Sequence, residues 1–310
     1  MKLDLRNVSR WMFALFLFAF FDSSLSKEPG TIKFSFSPGG STSFMQKLTT
    51  IKEKDMGAKG QQLDESVSTT KFTITKNGSG WDVLAEPKNI SMRRNKEEIN
   101  NPIVSLLSSA VITYKLDSDG NIVDVDGYEP FIDAISKQIP PEVFKQLAPI
   151  LNIDVMKAKD IAEWNGRIGD YVGVEVEIGD TFVAEIPYQI PNGPTIDYRV
   201  QTSISALVPC GEKKCLRIEQ HYDSRADNLA KMTGEVVSNV SEALSPELSG
   251  SSSDSNTAII KGEVVRVIDP ETMLIYAENS SRTIAMEIDL PGEGLIPVKT
   301  TETRSYEFEY

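Results

Sequence analysis

Residues 281–290 read "SRTIAMEIDL", and they carry the pattern that decides the fold. Ile284, Met286 and Ile288 alternate with other residues, so in an extended chain they share one face. The run "STTKFTITK" at 68–76 shows the same alternation. Strands of this kind are typical of antiparallel sheets that bury one face more deeply than the other. The sequence therefore predicts a mainly β protein.

A second pattern interrupts this rhythm between residues 129 and 161, which read "EPFIDAISKQIPPEVFKQLAPILNIDVMKAKDI". Phe131 and Ile135 have helical spacing, and the Pro140–Pro141 pair ends one helix and can begin the next. We predict a mainly β fold in which helices are inserted into an antiparallel sheet.

Two further segments complete the predicted organisation. Residues 226–244 have apolar side chains at helical spacing, and residues 245–257 form a Ser-rich stretch typical of a flexible loop. The four strands predicted after this loop are too few to bury a core alone. We therefore expect one β-rich domain at 27–310, with a separate small C-terminal domain as the alternative.

The N-terminus predicts export. Basic residues, among them Lys2 and Arg10, precede an apolar run from Trp11 to Phe21, and small residues follow it. The run is shorter than the ~20 residues of a spanning helix, so a cleaved signal peptide at 1–26 is favoured over a retained anchor. We expect cleavage after Ser26, a periplasmic or secreted protein, and no transmembrane segment in the mature chain.

Only two cysteines occur, Cys210 and Cys215, in "VPCGEKKCLRI" at 208–218. A redox pair, half of a metal site and a structural disulfide are the alternatives. Their spacing is not that of a thioredoxin-type motif, and an exported protein meets an oxidising environment. We predict a disulfide at the ends of a hairpin.

The run "DSDGN" at 117–121 has acidic spacing similar to a calcium loop. The sixth position of such a loop requires glycine for its sharp turn, and Ile122 occupies it here. Flanking alternation favours a hairpin with Asp119–Gly120 as its turn.

Charge and composition exclude several functions. The net charge is −13, which repels phosphate backbones, so we expect no nucleic-acid partner. His221 is the only histidine, and no nucleophile-elbow motif occurs, so no catalytic set is recognisable. We expect a non-enzymatic protein without a cofactor or metal.

Two segments carry a resemblance to a known family. They are "WNGRIGDYVGVEVEIGDTFVAEIPYQIP" at 164–191 and "GEVVRVIDPETMLIYAENSSRTIAMEI" at 262–288. With the order of strands and helices, they resemble lipoprotein-localisation carriers of the Lol type and uncharacterised exported bacterial β-rich proteins. The resemblance implies a curved, half-barrel-like antiparallel sheet with a helical lid. It also implies a concave apolar face that holds acyl chains or another hydrophobic ligand, with a lipid or lipoprotein as partner.

The residues that could line such a cavity are the apolar side chains of the predicted lid and sheet. They are Phe131, Ile135, Phe144 and Leu147 from the lid, and Phe72, Ile74, Trp81 and Val83 from the sheet. The alternative is that these side chains fill a core. The alternative function is then a structural or protein-interaction module of the cell envelope without a ligand cavity.

Overall fold

Long alternating strands account for most of the chain. The computed structural model describes residues 30–57, 60–99, 106, 108, 110–148, 151–189, 195–224, 258–290 and 294–310. The strands of the N-terminal half are β1 (Ile32–Lys33), β2 (Ser41–Asp55), β3 (Gln61–Asn77), β4 (Gly80–Arg94), β5 (Glu97–Glu98), β6 (Ile112–Leu116) and β7 (Ile122–Asp126). Those that follow are β8 (Glu175–Val176), β9 (Thr181–Gln189), β10 (Thr195–Cys210), β11 (Lys213–Ser224), β12 (Ala258–Ile268), β13 (Ile275–Leu290) and β14 (Gly294–Glu309).

These strands pair into one twelve-stranded sheet, in the order β7-β6-β4-β3-β2-β14-β13-β12-β11-β10-β9, with β5 beside β4. The pairings in this order are antiparallel, and β7 and β9 lie at its two ends. A separate pair joins β1 to β8. The predicted mainly β fold, with an antiparallel sheet and inserted helices, is confirmed.

The middle of the sheet joins residues from opposite ends of the sequence. Strand β14 pairs with β2, so that Glu309 lies opposite Met45 and Lys299 lies opposite Asp55. This pairing unites an N-terminal meander and a C-terminal meander into one sheet. Residues Thr31–Tyr310 form one compact unit.

Three helices lie between β7 and β8: α1 (Tyr128–Gln138), α2 (Pro141–Leu147) and α3 (Ile153–Arg167), followed by a 3₁₀ turn at Gly169–Tyr171. Proline starts α2, and the Asn152 side chain caps α3 by accepting from the N–H groups of Asp154 and Val155. The last helix continues beyond the predicted limit at residue 161.

Three expected segments lie outside the described residues: the signal peptide at 1–26, the helix at 226–244 and the loop at 245–257. Within the described ranges, we find no helix with the length and hydropathy needed to cross a membrane.

The core lies at one end of the long strands. Its buried residues stand near the end of β3 (Ile74) and the start of β4 (Val83), and near the start of β11 (Leu216) and the end of β12 (Ile268). Antiparallel neighbours place these positions side by side. Phe131 and Ile135 of α1 belong to the same cluster. The other ends of the long strands extend beyond this core, and we call them the open half.

The "DSDGN" segment forms the turn of a β6–β7 hairpin. The Asp117 carboxylate accepts from the backbone N–H groups of Asp119 and Asn121. Gly120 has φ +79°, which favours glycine, and its carbonyl accepts from the indole N–H of Trp164 on α3 at 2.8 Å. The turn therefore anchors α3 to the edge of the sheet.

The predicted disulfide is confirmed. Cys210 and Cys215 are bonded, with 5.8 Å between their Cα atoms. Cys210 lies opposite Lys213, so Gly211 and Glu212 form the hairpin turn between β10 and β11. Lys213 also pairs with the buried Asp269 at 2.7 Å, which ties this hairpin to the turn after β12.

Replacing both cysteines with serine should lower the free energy of unfolding by about 2 kcal/mol, because the bond closes only a short loop of the unfolded chain. Urea unfolding under oxidising conditions measures this difference. Reduced wild-type protein serves as the control and should match the double variant. A loss above about 5 kcal/mol would show that the disulfide does more than fix this hairpin.

Candidate functional site

Seven of the eight predicted lining residues come together, in the core or packed against it. Ile74 and Val83 are 2% and 0% exposed, and Trp81, Phe131 and Ile135 are buried in the same cluster. Phe72 and Phe144 are half-buried against it. The backbone of Leu147 ends α2, and its side chain lies outside the described set.

Two surface pockets of the structure lie elsewhere. One of about 290 Å³ is lined by residues that include Asp55, Ile259 and Lys299. The other, of about 210 Å³, is lined by residues that include Glu263 and Thr303. None of the seven predicted lining residues whose side chains the structure describes contributes to either pocket. Their assignment to a ligand cavity stays a prediction.

A buried ion triad joins α3 to the sheet. The Glu278 carboxylate of β13 pairs with Arg167 of α3 at 3.3 Å and with Arg266 of β12 at 2.5 Å. Arg266 also donates to the Arg167 carbonyl at 3.2 Å, and the Arg167 guanidinium lies over the Tyr306 ring, 4.9 Å from its centre. Burial opposes ionisation of Glu278, but the two arginines outweigh it and hold its pKa below the ordinary value.

The triad defines the two faces of the sheet. Arg266, Glu278 and Tyr306 lie directly opposite one another on neighbouring strands, so their side chains share the face that contacts α3. We call it the helix face. Because side chains alternate, every second residue along β12, β13 and β14 from these positions lies on the same face.

Beyond the triad, the helix face carries a row of alternating charges across five neighbouring strands. From β4 to β13 the row is Arg94, Asp64, Lys52, Glu302 and Arg282. The Arg94 guanidinium hydrogen-bonds to Asp64 at 2.8 Å and, against a smaller desolvation effect, holds the pKa of that carboxyl below its ordinary value. The row is a ladder of alternating charges that matches the register of these strands, with ion pairs between Arg94 and Asp64 and between Arg282 and Glu302.

Glu302 is shared by two arginines. Its carboxylate pairs with Arg304 of the same strand at 2.8 Å and with Arg282 of β13 at 3.4 Å. The Glu302 side chain is only 13% exposed, whereas the side chains of Arg282 and Arg304 are 42% and 40% exposed. One carboxylate therefore faces two accessible guanidinium groups.

An apolar stripe lies next to this charged row, further from α3. In one cross-strand row, Ile186 of β9, Tyr198 of β10, Ile260 of β12 and Ile284 of β13 share the helix face, with Ser224 of β11 between Tyr198 and Ile260. Tyr222 and Met286 adjoin the row. Within the described residues, Ile260 is buried among four half-buried side chains, all on strands: Tyr198, Tyr222, Ile284 and Met286.

Tyr222 connects the stripe to the arginines. Its ring lies over Gly262, where an added Cβ would stand 2.3 Å from the ring. Burial raises the pKa of Tyr222, and the positive charges of Arg282 and Arg304 act against that rise. The ring therefore lies within the electrostatic field of both arginines, and Gly262 makes room for it.

Sequence reasoning missed this stripe. The alternation of Ile284 and Met286 was visible, but alternation alone does not reveal which strands are neighbours. Tyr198 and Tyr222 were an available signal. They lie on β10 and β11, the two strands that the disulfide joins, and tyrosine is a residue type that suits a half-buried sheet face.

Comparison with solved structures finds weak similarity to this chain. No protein-family model and no curated protein sequence matches this chain. A solved structure described as "Lipid-protein interactions in lipovitellin" is 10% identical, over 89% of this chain and 26% of that chain, with a TM-score of 0.42. This chain therefore aligns with about a quarter of that protein. A similarity at this score carries no argument about function.

Replacing Glu278 with glutamine should cost about 3–5 kcal/mol of unfolding free energy, because it leaves two arginines in the core without their counter-ion. Glu307→Gln on the same sheet is the matched control, since Glu307 forms an exposed pair with Lys47 and should contribute below about 1 kcal/mol. Chemical denaturation at about pH 7 measures both. Equal losses would contradict the structural role of the triad.

The stability of wild type and of Glu278→Gln, measured as a function of pH, gives a second test of the triad. A carboxyl with a depressed folded-state pKa contributes fully above its unfolded pKa of about 4.3. That contribution is lost as the pH falls from there through the folded-state value. The stability difference between wild type and Glu278→Gln should therefore be constant from about pH 8 to 6 and shrink below about pH 4.5. A difference that grew on acidification would have the wrong sign.

Proposed function

We propose that this protein is a non-enzymatic binding protein that holds an apolar chain on the open half of its helix face. The observation that supports this most is the apolar stripe of Ile186, Tyr198, Tyr222, Ile260, Ile284 and Met286. It spans five neighbouring strands, ends on the edge strand β9, and borders charged side chains along one side.

The dimensions of the stripe suit an extended alkyl chain. Neighbouring strands lie about 4.8 Å apart, so a row across five strands is about 19 Å long, similar to an alkyl chain of about 16 carbons. Each methylene removed from water contributes about 0.8 kcal/mol. A chain lying along the row would cover side chains that are now partly wet, such as Ile186, which is 47% exposed.

The proposed setting is outside the cytoplasm. The disulfide between Cys210 and Cys215 suits an oxidising compartment, and the basic and apolar N-terminus is expected to direct export. A free lipid, or the acyl group of a lipoprotein, is the proposed partner in that compartment.

One observation supports the second candidate, a protein-interaction module of the envelope. Strand β9 lies at the end of the sheet order, and it exposes Val183 (53%) on the face opposite Ile186. A sheet edge with apolar side chains on both faces can pair with a strand of another protein. Pro187 lacks an N–H group and limits such pairing.

Isothermal titration with palmitate, held below its micelle concentration, tests the primary proposal. We expect one palmitate per wild-type chain, and at least tenfold weaker binding for Ile284→Asn, because the variant places an amide in the stripe. Ile259→Asn is the control: its side chain lies on the opposite face, is 43% exposed, and should change the affinity less than twofold.

Two results would contradict the primary proposal. One is a wild-type chain that binds no palmitate in the titration. The other is an equal effect of the two substitutions. In the first case, self-association or strand pairing that depends on Val183 would favour the interaction module.

A further inference from the structure

We propose that the ligand of the stripe is an anionic amphiphile, with a carboxylate or phosphate headgroup held by Arg282 and Arg304. This inference rests on the proposed function, because it concerns the polar end of the molecule whose apolar chain would occupy the stripe. Three features of the structure support it: the position of the arginines, the charge on this face, and the number of guanidinium donors.

The two arginines lie beside the stripe. Arg282 and Ile284 stand two residues apart on β13 and point to the same face. Two residues of a strand correspond to about 7 Å, so the guanidinium lies within reach of a headgroup whose chain follows the stripe. Arg304 lies one row closer to the triad, on the neighbouring strand.

The open half of the helix face carries an excess of positive charge. On the open half of β2, β13 and β14, the helix face bears four cations and one carboxylate: Lys52, Lys54, Arg282, Arg304 and Glu302. On the opposite face of the same three strands, the described side chains carry two carboxylates, Glu53 and Asp55, and one cation, Lys299. The chain as a whole carries −13. A positive face on an acidic protein selects for an anion and against a cation.

The guanidinium groups of both arginines are strong hydrogen-bond donors to anions. Each guanidinium has five N–H donors and can bind a carboxylate or phosphate through two of them at once. Glu302 is the carboxylate that both arginines share, so donors remain on each side chain, and each is about 40% exposed. An anion between them would complete the alternation that the ladder shows elsewhere.

Two acidic groups oppose this binding and set its position. Glu302 lies between the arginines, and Glu163 of α3 acts on Arg304 through its charge. Arg282 lies one row further from α3 than Arg304 does, which makes it the stronger candidate for direct contact with the headgroup.

The test compares two probes of equal chain length, palmitate and hexadecanol, by displacement of a fluorescent alkyl probe at low ionic strength. Wild type should bind palmitate at least tenfold more tightly than hexadecanol. Arg282→Gln should lose most of that preference while its affinity for hexadecanol stays within about twofold. Arg217→Gln is the matched control, because Arg217 pairs with Glu219 on the opposite face and is similarly exposed, and it should behave as wild type.

The outcomes separate the two proposals. Equal affinity for both probes, or an unchanged preference in Arg282→Gln and Arg304→Gln, would overturn the anionic headgroup and leave the apolar site standing. Binding of neither probe would overturn both. Raising the salt concentration should weaken palmitate binding and spare hexadecanol, and this result does not depend on any variant folding correctly.

Discussion

One carboxylate, Glu278, fixes where the last helix, α3, lies on the sheet. It is buried between Arg167 at the end of α3 and Arg266 of the sheet. Helix α3 has no fully buried residue of its own, although Ile153, Met156 and Ile161 pack half-buried against the core. Polar contacts of its last turn fix its position: this triad, and the bond from Trp164 to the β6–β7 turn. A buried ion pair contributes little net stability, but breaking it is costly, so the helix is held in one position.

That position divides the helix face into two regions of different chemistry. Near the triad, the sheet and α1 form a packed core around residues such as Val83 and Ile135. Further along the same strands, the face carries a ladder of alternating charges and then an apolar stripe. The proposed amphiphile site rests on this combination of accessible arginines and half-buried apolar side chains, which arises because the long strands continue past the core.

The sequence predicts the local structure of this protein well and its long-range structure poorly. Alternation in 68–76 and 281–290, helical spacing in 129–161 and the spacing of Cys210 and Cys215 are local signals, and each corresponds to an observed element. The pairing of β2 with β14 joins residues some 250 positions apart, and no local pattern encodes it. The expected site was therefore placed on the strongest apolar clusters, which lie in the core, whereas the stripe draws single residues from several distant strands.

The central claim is that an apolar ligand lies on the open half of the helix face and not between the helices and the sheet. Methyl NMR of the isoleucine-labelled mature chain, titrated with palmitate bearing a nitroxide at the end of its chain, measures this directly. We predict that the methyl signals of Ile260 and Ile284 broaden on addition of the probe, while those of Ile74 and Ile135 are unchanged. Broadening of Ile74 and Ile135 with no effect on Ile260 and Ile284 would place the ligand in the core and contradict the account.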